Sequence, residues 1–271
     1  MQNPGHTVWR DDVVEGVPGS GKHSVSKLEV RAWAAELEAF GHIIGHQIFY
    51  ASGTWTRPDG CTAIYVEALG GGGSGASCGA AASAQVECGS GGGGGGFSAS
   101  LIRSPPSSVA VTVGLGGARP PAGSNPGNAG GNSEFGTTEN GGLPYVRATG
   151  GEGGHVLASA AEGCLEGGAG GNAGGVIGDI KVSGDSGGFA IVSRTPPATI
   201  GISGRGGSGA GPYGGAGGKE ALSIGPGHGG GVYGGGGGGA FAWNLSTAEQ
   251  AGPGSNGLVV VWMYGGAVSS S

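Results

Sequence analysis

Charge is scarce in this chain. Asp, Glu, Lys and Arg make up 11% of its 271 residues, where roughly 25% is usual. A disordered, solvating segment stays open by carrying charge, so that class fits poorly. The net charge is −6. Nucleic-acid binders are basic, so no nucleic-acid partner is expected. Aromatics stand at 6% and carboxylates are not clustered. No serine sits in a nucleophile-elbow context, and the reading is of a protein that is not an enzyme and needs no cofactor. The longest apolar run, 258–264, is far short of the roughly 20 residues of a membrane helix. No membrane insertion is expected, and the first ten residues show no secretory signal. The cysteines are Cys61, Cys78, Cys88 and Cys164, with no C-x-x-C spacing. No metal site is expected; the thiols are read as free, with a Cys78–Cys88 bridge as the alternative in an oxidising setting.

Glycine fills the space that these residues leave. There are 72 glycines, against roughly 7% in an average protein. They concentrate from Gly70 to about Gly239. Collagen needs glycine at every third position, and the runs Gly91–Gly96 and Gly234–Gly239 break that rule. A flexible linker lacks strands, whereas Ser108–Val113, Ile177–Val182 and Leu258–Tyr264 are strand-like. An ordered glycine-rich domain is left, in which backbones approach closely because no Cβ separates them.

The chain reads as mainly β, with a short N-terminal α-helix ahead of a glycine-rich β domain with extended loops. Residues 1–45 form the first unit and 46–271 the second. An extended arm over 1–23 leads to Ser26-Lys-Leu-Glu29, a capping-box pattern. Val30, Trp33, Leu37 and Phe40 then recur as a heptad stripe. Such a helix either self-associates or packs on the domain behind it. His46–Ser52 and Cys61–Leu69 are strand-like, separated by a turn at Pro58-Asp-Gly60. Asn256-Gly257 signals a turn before a central closing strand.

The body echoes itself. Arg103-Ser-Pro-Pro-Ser-Ser-Val-Ala-Val111 matches Arg194-Thr-Pro-Pro-Ala-Thr-Ile-Gly-Ile202, and each copy follows a Gly-Gly-Phe. This reads as strand, Pro-Pro corner, strand and glycine segment used twice. Elsewhere, Gly167–Gly175 and Gly214–Gly218 carry a period near three. That period suits polyproline-II-like helices, whose buried N–H and C=O groups must pair with neighbouring helices. Surface loops are the other reading.

Two further patterns separate cleanly. Gly16-Val-Pro-Gly-Ser-Gly-Lys22-His23 approaches a phosphate-binding loop, but His23 replaces the metal-ligating hydroxyl and no apolar strand precedes it. Tyr213, Tyr233, Phe241 and Trp243, with His228 nearby, stand among late glycines. They serve either as a recognition surface or as the anchors of a glycine-rich layer.

Several stretches resemble the glycine-rich tail-fibre and receptor-binding proteins of tailed bacteriophages. Ser52-Gly-Thr-Trp-Thr-Arg-Pro-Asp-Gly60 is similar to their Gly-Thr-Trp-Thr-x-Pro-x-Gly opening motif. Tyr65–Gly73, Gly130–Gly136, Val146–Gly154, Gly178–Gly188 and the terminal Gly-Leu-Val-Val-Val-Trp complete the likeness, over about residues 50–265. Residues 8–22 and 27–33 look like the start of fibres that anchor to the virion. The resemblance implies a homotrimeric adhesin in the phage tail, without enzymatic activity. Val8, Trp9 and Arg10 would dock on tail or other virion proteins, and Val30, Trp33, Leu37 and Phe40 would trimerise. Tyr213, His228, Tyr233, Phe241 and Trp243 would meet a bacterial surface glycan or outer-membrane protein. A structural virion component without receptor binding is the alternative.

Overall fold

The computed structural model describes residues 42–136, 144–157, 163–171, 177–195, 198–244 and 246–265. The expected helix with its Val30, Trp33, Leu37 and Phe40 stripe, the anchor at Val8, Trp9 and Arg10, and the loop at 16–23 lie outside these residues. The described part is mainly β, as expected, and contains no α-helix.

In chain order the strands are β1 (His42–Phe49), β2 (Gly53–Thr56), β3 (Cys61–Leu69), β4 (Val86–Gly89), β5 (Phe97–Arg103), β6 (Ser108–Thr112), β7 (Ser133–Phe135) and β8 (Val146–Ala148). There follow β9 (Val156–Leu157), β10 (Gly163–Leu165), β11 (Ile180–Val182), β12 (Ala190–Thr195), β13 (Ala198–Ile202), β14 (Phe241–Trp243) and β15 (Leu258–Gly265). A five-stranded sheet has the order β1-β15-β3-β5-β11, and a four-stranded sheet the order β2-β6-β7-β8. The terminal strand β15 is central, as its apolar run predicts. Antiparallel pairing sets it between β1 and β3, with Val261 opposite both Gln47 and Val66. The turn at 58–60 is also present, and Gly60 takes the left-handed φ of 76° that favours glycine there.

These two sheets enclose the main apolar core. Period-two alternation turns Ile64, Val66 and Ala68 of β3, and Val259 and Val261 of β15, inward. They meet Trp55, Val109, Val111, Phe135 and Val146 from the other sheet. Two three-stranded sheets, β14-β4-β9 and β10-β12-β13, build a smaller core from Val86, Cys88, Phe241, Ala190 and Val192.

Glycine segments join the two β regions. Segment 149–155 leads from β8 to β9, 89–96 from β4 to β5, and 183–188 from β11 to β12. They are packed helices rather than surface loops, as their hydrogen bonds show. In segment 70–78 every third N–H turns to the same neighbour. Gly70, Gly73 and Ala76 donate to the carbonyls of Gly96, Gly93 and Ser90 at 2.9, 2.8 and 3.1 Å. Gly71, Ser74 and Ser77 donate to Gly131, Asn128 and Asn125 at 3.0, 2.9 and 3.0 Å, and Gly72, Gly75 and Cys78 to Ser255, Gly252 and Glu249 at 2.9, 3.0 and 3.1 Å. This is the three-residue turn of a polyproline-II-like helix, with every N–H spent on a neighbour because the helix has none within itself. The partners of 70–78 descend in number as it ascends, so those pairs are antiparallel. Parallel pairs occur too: Gly204, Gly207 and Ala210 donate to Gly89, Gly92 and Gly95. The buried backbone is thereby satisfied without a β-ladder.

The Pro-Pro echo is used in two ways. In the second copy β12 and β13 pair as an antiparallel hairpin. In the first copy the strands before and after the corner belong to different sheets, because β5 pairs with β3 and β6 with β2. A glycine segment follows in both copies.

All four thiols are free; Cys61, Cys78 and Cys88 are buried and Cys164 is exposed. Burial pushes the Cys78 and Cys88 thiols up to about 12. Iodoacetamide at pH 8 should therefore modify Cys164 and spare the other three until the chain unfolds, as peptide mass mapping would show. The folded protein holds the Cys78 and Cys88 protons above pH 9, where the unfolded chain releases them. Their contribution is intact below about pH 9 and is lost as pH rises towards about 12. The melting temperature should fall over that window, and less steeply in the Cys78→Ala/Cys88→Ala double variant.

Candidate functional site: the aromatic face of the five-stranded sheet

The alternation that sends valines into the core sends a different set to the opposite face. Tyr65, Glu67 and Leu69 of β3 point outward, as do Leu258, Val260 and Trp262 of β15. The antiparallel register lines them up. His46, Trp262, Tyr65 and Leu101 form one row across four strands, and Ile48, Val260, Glu67 and Ala99 form the next. Glycine helices cover the end of this face next to the bundle. There Leu69, Phe97, Leu258 and Val260 pack with Ala210, Tyr213 and Tyr233. Further out the face is open: His46 is exposed, Trp262 and Tyr65 are half-buried, and Leu101 is exposed.

Glu67 lies where cover gives way to solvent. It is 8% exposed. Its Oε2 accepts hydrogen bonds from the Tyr213 hydroxyl and the Trp262 indole N–H, each at 2.8 Å. Neither donor is charged, and Glu67 makes no ion pair among the described residues. Burial, reinforced by the carboxylate, pushes the Tyr213 phenol up to about 12, so Tyr213 keeps its proton and stays a donor. Burial also raises the Tyr65 phenol, with the Glu67 charge adding to it. Further rings pair on this side of the sheet. His46 packs on Trp262 at 5.3 Å, and Tyr50, 58% exposed, stacks on Tyr233 at 5.8 Å. Beyond β5, Asp179 accepts from the Ser100 hydroxyl at 2.5 Å, and that bond lowers its carboxyl below the usual range.

Of the aromatics singled out in the glycine tract, Tyr213 and Tyr233 come together on this face. The others stand apart from it. Phe241 is 7% exposed and packs with Val86, Cys88 and Val192 in the smaller core. Trp243 is 41% exposed at the end of β14, opposite Val86. His228 has an exposed side chain, and its backbone joins the bundle by accepting from Gly238 N–H at 2.9 Å. The sequence reading gave Tyr50, Tyr65, Glu67 and Trp262 no role in a site. Period two in Tyr65-x-Glu67 and Trp262-x-Tyr264 would have placed each pair on one face, but not the pairing that joins them.

The described residues contain no cluster of three or more metal-ligating side chains and no helix long and apolar enough to cross a membrane. No curated protein matches the chain. One family model does match, described as a glycine-rich domain, and it spans residues 50–264. That span runs from the residue after β1 to Tyr264 of β15, and takes in strands β2 to β14 and the glycine segments that join the two β regions. The chain belongs to the glycine-rich domain family.

Proposed function

We propose that this chain is a bacteriophage tail-fibre protein that attaches the virion to its host as a trimeric, non-enzymatic adhesin. The observation that carries this reading is the aromatic face on a glycine-bundle scaffold. Glycine helices bonded on three sides make a stiff body that places few side chains, and those near the face are rings suited to contact. The resemblance of the opening motif and of residues 8–22 to phage fibres supports the rest. Residues 1–45 dock on the tail and trimerise, and residues 46–271 meet a bacterial surface glycan or outer-membrane protein. Three tips per fibre and several fibres per particle turn weak contacts into firm attachment.

The test uses the purified full-length chain, fluorescently labelled, on a panel of bacterial cells. Saturable binding to particular strains, blocking adsorption of the virion that carries it, is the expected result. The exposed apolar side chains of β12 and β13, Ile191, Ile200 and Ile202, with Phe189 beside them, favour a second reading, a structural virion component packed against a neighbour. Protein that leaves every cell untouched, while its deletion impairs particle assembly, would select that reading. The trimer has its own test. Trp33→Asp or Leu37→Asp should reduce the sedimenting species to monomer, and an unchanged oligomer would remove the helix as its seam.

A further inference from the structure

We propose that the open end of the aromatic face binds one pyranose ring of a surface glycan, with Glu67 as the hydrogen-bond acceptor and Tyr65 and Trp262 as the apolar platform. The proposal rests on the adhesin reading and commits it to a class of ligand. The acceptor is built for the purpose. Glu67 is more than nine-tenths buried, and both neutral donors that reach it, Tyr213 and Trp262, use the same oxygen, Oε2. Oε1 takes no hydrogen bond among the described residues. Among the described residues only Trp55 Nε1 is a buried side-chain atom without a partner, so Oε1 is reachable from outside. A carboxylate oxygen favours a donor, and vicinal sugar hydroxyls supply donors without charge.

The platform is adjacent. Tyr65 stands two residues from Glu67 on the same face of β3, and Trp262 lies across from Tyr65 in register. The C–H side of a pyranose can lie on these rings while its hydroxyl edge meets Glu67. His46, the register partner of Trp262 on β1, packs on the indole with ring centroids 5.3 Å apart. Arg103 pairs in register with Ala63 at the outer rim, exposed.

Two other ligand classes fit less well. An anion would meet Glu67 and, beyond β5, Asp179. A quaternary ammonium offers no donor to Oε1, and its cage needs ring faces turned to one point. Here Tyr213 and Trp262 turn their polar edges to the carboxylate instead.

The full-length chain is tested on an array of bacterial lipopolysaccharide core and O-antigen oligosaccharides, with indole fluorescence following titration of the methyl glycosides of the sugars bound. Saturable binding is expected, together with a change in Trp262 emission that Trp262→Phe removes. Glu67→Gln should weaken binding about tenfold or more, through loss of a charge-assisted bond. Tyr65→Ala should do the same, and His46→Ala, an exposed substitution, serves if Tyr65→Ala lowers the melting temperature. The absence of any array signal, equal affinity in Glu67→Gln and His46→Ala, or displacement of the sugar by choline chloride would overturn the proposal. The cell panel separates the two failures. Cell binding that survives Glu67→Gln unchanged removes this site and leaves the adhesin, whereas glycan binding without cell binding removes the adhesin and leaves the site.

Discussion

Replacing Gly93 with alanine should unfold the protein or leave it barely stable. Gly93 lies mid-segment in 89–96, with its N–H given to the Glu152 carbonyl and its own carbonyl taken by Gly73, each at 2.8 Å. A Cβ there would lie within 3.0 Å of the Ala169 carbonyl. That neighbour is backbone, so no rotamer change relieves the clash, and segment 166–171 must move as a body. Its bonds go with it: Gly168 and Gly171 donate to Gly91 and Gly94, and Ala169 accepts from Glu152, at 2.8, 2.7 and 2.8 Å. Three buried backbone bonds at about 1 kcal/mol net each, with overpacking of about 1–3 kcal/mol, total roughly 4–6 kcal/mol. A domain holds about 5–15 kcal/mol in all. Gly53→Ala is the matched control, because its Cβ would find only the Phe49 ring at 3.6 and 3.7 Å, ordinary contact. Urea unfolding of both variants is the measurement. Equal midpoints for Gly93→Ala and Gly53→Ala would refute the bundle as the source of stability.

That contrast shows why the glycine tracts were half legible. The near-triplet spacing in Gly167–Gly175 and Gly214–Gly218 signalled a three-residue turn. It is present where Gly168 and Gly171 donate to Gly91 and Gly94, and Gly215 and Gly218 to Tyr233 and Gly236, while 172–175 lie outside the described residues. The most regular example, 70–78, carries Ser74, Ala76, Ser77 and Cys78 among its glycines, so composition alone did not single it out. What packs a segment is the backbone of its neighbours, and glycine provides no side-chain pattern from which to read a partner. The strands were easier. The run Leu258–Tyr264 is apolar on both faces, which suits a strand covered on both sides, and β15 is central as expected. β1 was read from His46 but begins at His42, since Gly41 and Gly45 mask its start. The candidate site was least legible for the same reason as the tracts. Tyr213 and Tyr233 were picked out by their isolation among glycines, whereas Glu67 and Trp262 are separated by most of the chain and meet through a register that no local signal encodes.

Trp55→Ala should be the other severe loss, about 3–5 kcal/mol. Trp55 is fully buried on β2 and packs against Phe135 at 5.8 Å between the two large sheets. Its Nε1–H is buried and has no hydrogen-bond partner among the described residues. Phenylalanine at this position gives up ring volume but removes that donor, whose burial costs about 1–3 kcal/mol. The two effects oppose each other, so Trp55→Phe should change stability by less than about 1.5 kcal/mol. Urea midpoints with unchanged slopes would show both results, and a Trp55→Phe loss as large as that of Trp55→Ala would mean the indole N–H has a partner. The neighbours of Trp55 in the opening motif are also structural. Arg57 donates from its backbone N–H to Ser107 at 2.9 Å and from its guanidinium to Pro105 at 2.8 Å, tying β2 to the first Pro-Pro corner. Pro58 accepts from Cys61 N–H at 3.2 Å to close the turn. The motif that most resembles phage fibres therefore works as the clasp of the sandwich and presents no ring to a ligand. Trp55→Phe should accordingly leave cell binding unchanged, while Glu67→Gln, on the opposite face of the same five-stranded sheet from the core that Trp55 fills, should lower it.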